Sequence, residues 1–166
     1  MPLRLRGANQ VGRNLGKFAM NDEQRVLRTS RTLPFAPDAV FGAFASPDLL
    51  AQWWGPDGFS NTFETFEFKV SGRWKFVMHG PDGSNYPNEN VFTALVPGSL
   101  VVIRHDCDPY FTLTVRLTAV GGGTHLNWEQ AFDDPATALA VKPIVVPANE
   151  QNLDRMIRVL AEASAA

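Results

Sequence analysis

The sequence predicts an α+β fold: a curved antiparallel sheet wrapped around a long C-terminal helix, with two short helices after the first strand. Three observations predict it. Residues 59–132 break into successive strand-like runs separated by Gly- and Pro-rich turns. Two Pro-Asp pairs, Pro37-Asp38 and Pro47-Asp48, open short helical segments ahead of them. Leu153, Met156, Ile157 and Leu160 then recur at i, i+3, i+4 and i+7, one apolar helix face near the C-terminus. An antiparallel sheet with one apolar face needs a cover, and this helix is the longest one available.

In chain order, residues 25–33 read as the first strand, with β-branched and apolar residues among arginines. Val40, Phe41 and Phe44 give the first short helix its buried stripe. Ser46 is placed to cap the second, whose apolar side is Leu49, Leu50 and Trp53. Gly55-Pro56-Asp57-Gly58 stops it. Strands are expected over 59–70, 73–79, 89–96, 100–105, 111–118 and 124–132. Phe111, Leu113, Val115 and Leu117 alternate with Thr112, Thr114, Arg116 and Thr118, the cleanest period-two signal in the chain. Pro143 and Pro147 break any helix begun at Asp134-Pro135, so the final helix is expected from about residue 150 to 163, capped by Asn149.

The 166 residues, 45% hydrophobic and 19% charged, suit one globular domain over residues 20–166. A chain of this size buries roughly 70% of its unfolded surface. A formal net charge of -2 gives no support for nucleic-acid binding. A single cysteine, Cys107, excludes an intrachain disulfide and fits a reducing cytoplasm. No apolar run reaches the roughly 18 residues of a membrane span. Residues 1–19 carry Arg4, Arg6, Arg13 and Lys17 and no acid, and read as a basic extension ahead of a natural-looking start at Met20. That head, or an exposed sheet edge, offers a route to a homodimer.

The stretch 53–78 holds three of the four tryptophans, and Trp74, Phe76 and Met78 share one strand face. The candidate ligand-binding set is Trp53, Trp54, Phe59, Trp74, Phe76, Met78, Phe92, Trp128, Phe132 and Met156, with Gln130 and Glu89 as polar members that could orient a ligand. For any one aromatic, simple core packing is the competing reading. Gln130 shares a face with Trp128 and Phe132, so it needs a partner, whether ligand, backbone or water. His79, His105, His125 and Cys107 lack the second ligand pair of a metal site. His105 beside Asp106 and Asp108 is the conceivable acid–base pair, although adjacent strand residues point to opposite faces. No metal or cofactor is expected, and no P-loop, dinucleotide, G-x-S-x-G or H-E-x-x-H motif occurs.

R-T-L-P-F-A-P-D-A-V-F at 31–41, W-W-G-P at 53–56, G-R-W-K-F-V-M at 72–78, G-P-D-G-S-N-Y-P at 80–87, G-G-G-T-H-L at 121–126 and N-L-D-R-M at 152–156 together resemble the AHSA-type family, homologues of an activator of a heat-shock chaperone ATPase. The resemblance spans about residues 24–162. It implies the START-like helix-grip fold of the SRPBCC superfamily, whose members enclose hydrophobic ligands between sheet and helix. Two departures stand out: Ser71 occupies a position where the family usually has glycine, and 141–149 is richer in proline than the usual lead-in to the last helix. The expected function is a non-enzymatic carrier or sensor of a small hydrophobic molecule. The competing readings are a cyclase- or hydrolase-type enzyme using polar residues in the same cavity, and a chaperone-interacting stress protein.

Overall fold

The computed structural model describes residues 23–165. The basic extension 1–19 and the start at Met20 lie outside the described residues. The elements follow the order β1 (Val26–Leu33), α1 (Pro37–Ala45), α2 (Pro47–Trp53), β2 (Ser60–Phe66), β3 (Arg73–His79), β4 (Asn85–Val96), β5 (Leu100–His105), β6 (Phe111–Val120), β7 (Gly123–Phe132) and α3 (Pro135–Ala165). The seven strands form one sheet, ordered β1-β7-β6-β5-β4-β3-β2, and every neighbouring pair is antiparallel. β2 to β7 is thus a meander, and β1 returns to pair with β7. Register shifts at Phe63/Thr65 and Phe92/Ala94 interrupt the ladders; such irregularities increase local twist and bend the sheet. The curved inner face grips α3, the helix-grip arrangement.

The two short helices form as their sequence dictates. Proline occupies the first position of each, where its missing N–H costs nothing. The Ser46 side chain accepts from Leu49 N at 3.3 Å. Val40, Ala43, Phe44, Leu50 and Trp53 are buried. Trp53 Nε1 donates to the Ala43 carbonyl at 2.9 Å, tying α2 to the last turn of α1.

Three elements differ from the sequence-based expectation. α3 is one continuous helix of 31 residues that contains Pro143 and Pro147. Asn149 is therefore a buried interior residue and not a cap. Each proline removes one backbone hydrogen bond, but Leu139, Pro143 and Pro147 are all exposed, so that side of the helix has water to satisfy what is lost. The inward side, with Ala138, Asn149 and Asn152, stays packed.

β4 begins at Asn85 and includes Pro87. Its pairing with β5 starts only at Asn90↔His105, so residues 85–89 have a ladder partner on the β3 side alone. Proline is tolerated where one side of a strand is open.

β2 ends at Phe66, short of residue 70. The chain turns through 67–72 with Ser71 at φ +67°, a left-handed conformation that glycine adopts more readily. No described helix is long and apolar enough to cross a membrane.

Candidate functional site

The inner face of the sheet is set by strand parity. Trp74, Phe76 and Met78 on β3, Phe92 on β4, and Trp128, Gln130 and Phe132 on β7 all point towards α3 or the core around it. Between the sheet and α3 lies a cavity of about 220 Å³. Its apolar wall comes from Trp54, Phe76, Met78, Phe111, Leu113 and Trp128. Gly55 and Pro56, in the corner after α2, and Pro109, before β6, close parts of its edge. From α3 it receives Val145, Ala148, Asn149 and Asn152, which are i, i+3, i+4 and i+7 on one helix face. Asn88, Asn90, His105 and Gln130 complete the lining.

The polar lining is tied together across elements. Asn149 Nδ2 donates to Gln130 Oε1 at 3.0 Å, joining α3 to β7. Gly55 N donates to Asn152 Oδ1 at 2.6 Å, joining the corner to α3. Asn90 and His105 face each other across β4 and β5, with His105 Nδ1 2.9 Å from Asn90 Oδ1. An amide oxygen only accepts, so the proton sits on Nδ1. Nε2 is then the acceptor, and Cys107 Sγ lies 3.3 Å from it. Phe111, the cross-strand partner of His105 on the other side, stacks on the imidazole at 4.4 Å. Burial first, then the Arg104 charge, push the His105 pKa down to about 4 against the opposing pull of Asp106 and Asp108. The ring is neutral at pH 7.

The corner itself is clamped by Arg155. Its guanidinium donates to the carbonyls of Gln52, Trp54, Gly55, Pro56 and Phe59. Gln151 Oε1 accepts from Asp57 N at 3.0 Å. One turn of α3 therefore holds the loop that closes the cavity.

The twelve residues singled out from sequence divide into three groups. Trp54, Phe76, Met78, Trp128 and Gln130 line the cavity. Trp53, Trp74, Phe92, Phe132 and Met156 are buried in packed protein instead. Trp74 stacks between Phe76 at 4.4 Å and Phe92 at 5.9 Å, and Phe132 packs with Leu27 and Ala138 in a second cluster. Phe59 and Glu89 lie elsewhere. Phe59 borders a solvent-open hollow beside Arg155 and Arg158. Glu89 is on the outer face of the sheet, where it pairs with Lys75 at 3.8 Å, because β4 alternates and Asn88 and Asn90 take the inner positions.

Of the polar lining, the sequence marks Gln130 but not the four asparagines. Asn149 and Asn152 stand four residues before Leu153 and Met156, so extending the apolar stripe back by one turn finds them. Counting back from Phe92 by twos finds Asn90 and Asn88. The sequence marks His105 only as the conceivable partner of Asp106 and Asp108, and nothing local marks Pro109 as a cavity residue.

A family model described as activator of Hsp90 ATPase homolog 1-like protein matches residues 34–165. No curated protein matches the chain. Solved structures of similar fold include a protein from Nitrosomonas europaea, with TM-score 0.78 and 16% identity over 86% of this chain and 97% of that one. A solution structure from Arthrobacter aurescens gives TM-score 0.77 and 20% identity, covering 84% and 88%. The AHSA1 protein from Silicibacter pomeroyi gives TM-score 0.67 and 21% identity, covering 83% and 99%. At these identities the likeness is one of fold.

Proposed function

The chain belongs to the family of activator of Hsp90 ATPase homolog 1-like proteins, and we propose, from the cavity rather than the family's name, that it binds a small, largely apolar molecule between sheet and C-terminal helix. The observation that carries this reading is the cavity of about 220 Å³ walled by Trp54, Phe76, Met78, Phe111, Leu113 and Trp128. An apolar cavity of about 150 Å³ already accepts benzene, and drug-sized ligands occupy roughly 300–1,000 Å³. The ligand is therefore a one- or two-ring molecule or its aliphatic equivalent. Burial of its carbon surface supplies the binding force, at about 25 cal/mol per Å². The neutral His105 and the carboxamides orient it. The protein acts as a carrier or sensor.

Native mass spectrometry of the freshly purified protein, before and after denaturing extraction, tests this. A co-purifying small molecule, or a binder from a library of one- and two-ring compounds, is the expected result. An empty protein that also binds nothing from that library refutes it.

A further inference from the structure

The hydrogen-bond capacity left over in the cavity points to the chemistry of its ligand. This step rests on the binding reading above. We infer that the cavity selects an uncharged molecule bearing a hydrogen-bond-accepting oxygen, such as a ketone, ester or amide carbonyl, over both its hydrocarbon and its carboxylate counterparts.

Asn90, Gln130 and Asn152 are 2%, 8% and 7% exposed. In each, the amide oxygen is used by the protein: Asn90 Oδ1 by His105, Gln130 Oε1 by Asn149, and Asn152 Oδ1 by Gly55 N. The Asn152 assignment is fixed by chemistry, since a backbone N–H can be met only by the oxygen. Each NH2 group is left without a protein acceptor among the described residues. Among the described residues, the partnerless side-chain nitrogen and oxygen atoms enclosed by protein are Asn61 Oδ1, Trp74 Nε1 and Trp128 Nε1. The three carboxamide nitrogens are not among them, so they are open rather than packed away, and the opening that these buried residues share is the cavity. Against three free NH2 groups stand two free amide oxygens, those of Asn149 and Asn88, whose nitrogens donate to Gln130 and to the Tyr86 carbonyl. The lining is rich in donors.

Among the described residues that line it there is also no Lys, Arg, Asp or Glu. Arg104, the cation that acts on His105, is spent on a two-pronged pair with Asp133 at 2.7 Å for both contacts. Asp106 and Asp108, which also act on His105, have no ion-pair partner among the described residues and would repel an anion. A carboxylate would therefore lose its hydration without gaining a counter-charge. A cation would meet N–H groups that point the wrong way for it. A neutral carbonyl oxygen takes two N–H donors, leaves its carbon skeleton on the aromatic wall, and brings no charge.

The test compares indane, 1-indanone and indane-1-carboxylate at pH 7, with binding followed by the side-chain NH2 resonances in 1H–15N spectra. The ketone is expected to bind about tenfold tighter than the hydrocarbon, the return of one well-made hydrogen bond. The carboxylate is expected to bind more weakly than either. Gln130→Met would remove one free NH2 group but release the Asn149 NH2 whose hydrogen bond Gln130 Oε1 accepts, so the wild-type ratios are the deciding measurement. Equal binding of indane and 1-indanone, or tighter binding of the carboxylate, overturns the inference and leaves the cavity as a binding site. Failure of all three to bind overturns the binding reading as well.

Discussion

Replacing Arg155 by methionine removes the guanidinium clamp while keeping an apolar stem of similar reach. Five carbonyls lose a donor, but not equally. The Trp54 carbonyl keeps the Asn61 amide at 2.8 Å, and the Pro56 carbonyl keeps Phe59 N at 3.1 Å. Gln52 is exposed, so water reaches its carbonyl. Gly55 is buried and Phe59 half-buried, and neither carbonyl has another donor among the described residues. Two such groups at about 1–3 kcal/mol each would set a loss of roughly 2–6 kcal/mol. Burial lowers the Arg155 pKa, but the side chain is only half-buried and water screens its charge, so the carbonyls set the loss. Urea unfolding at pH 7, followed by tryptophan fluorescence, reads it directly as a lower midpoint. Arg155→Lys, able to reach fewer carbonyls, should fall between. A methionine variant within about 0.5 kcal/mol of wild type would refute the reasoning, because it would mean that the corner is held by the packing of Trp53 and Trp54 alone.

Three further outcomes follow from the geometry. His105 has a folded pKa of about 4 against an ordinary 6.5. It is uncharged in both states above pH 6.5, so its stability contribution is intact there. Between 6.5 and 4 the unfolded chain takes up a proton that the folded one refuses, and about 3 kcal/mol is lost. The stability difference between wild type and His105→Gln should slope over that window, and a flat difference would show that the ring is not desolvated. Gly72→Ala would place a Cβ 2.0 Å from the Glu67 carbonyl oxygen and 2.8 Å from that of Lys69, both backbone atoms; a loss above about 2 kcal/mol is expected in thermal melts, and a wild-type melt would contradict it. Ser71→Gly relieves a positive φ and should gain about 0.5 kcal/mol after glycine's larger unfolded-state entropy is counted; destabilisation in the same melts would show that the serine side chain is needed there.

The fold was legible because the strands announce themselves by alternation and the turns by Gly and Pro. Phe111 to Leu117 could be read residue by residue. The helix α3 was not, because the rule that proline ends a helix describes a local cost. Here tertiary packing offsets it: Val145, Ala148 and Asn149 face the cavity on the inner side, and the prolines lie on the wet one. The same local reading turned Asn149 into a cap and hid it from the site. The aromatic wall was half visible. Parity identified the face of Trp74, Phe76 and Met78, but parity does not distinguish a side chain that borders empty space from one that fills it. Trp74 and Phe92 fill it, and Phe76 borders it. His105 and Asn90 could not have been paired from sequence, since their contact depends on the register of β4 against β5.

The strand order carries a consequence for biosynthesis. Arg28 of β1 pairs with Glu129 of β7 across 101 positions, so the first strand leaves the ribosome long before its neighbour exists. β2 to β6 can zip together one hairpin at a time in the meantime. Their apolar face stays bare until the last 31-residue helix is released, an interval on the order of seconds at ordinary translation speed. The nascent chain thus spends its most adhesive moments as a finished sheet without its helix, and stop codons placed anywhere before that helix would leave it so.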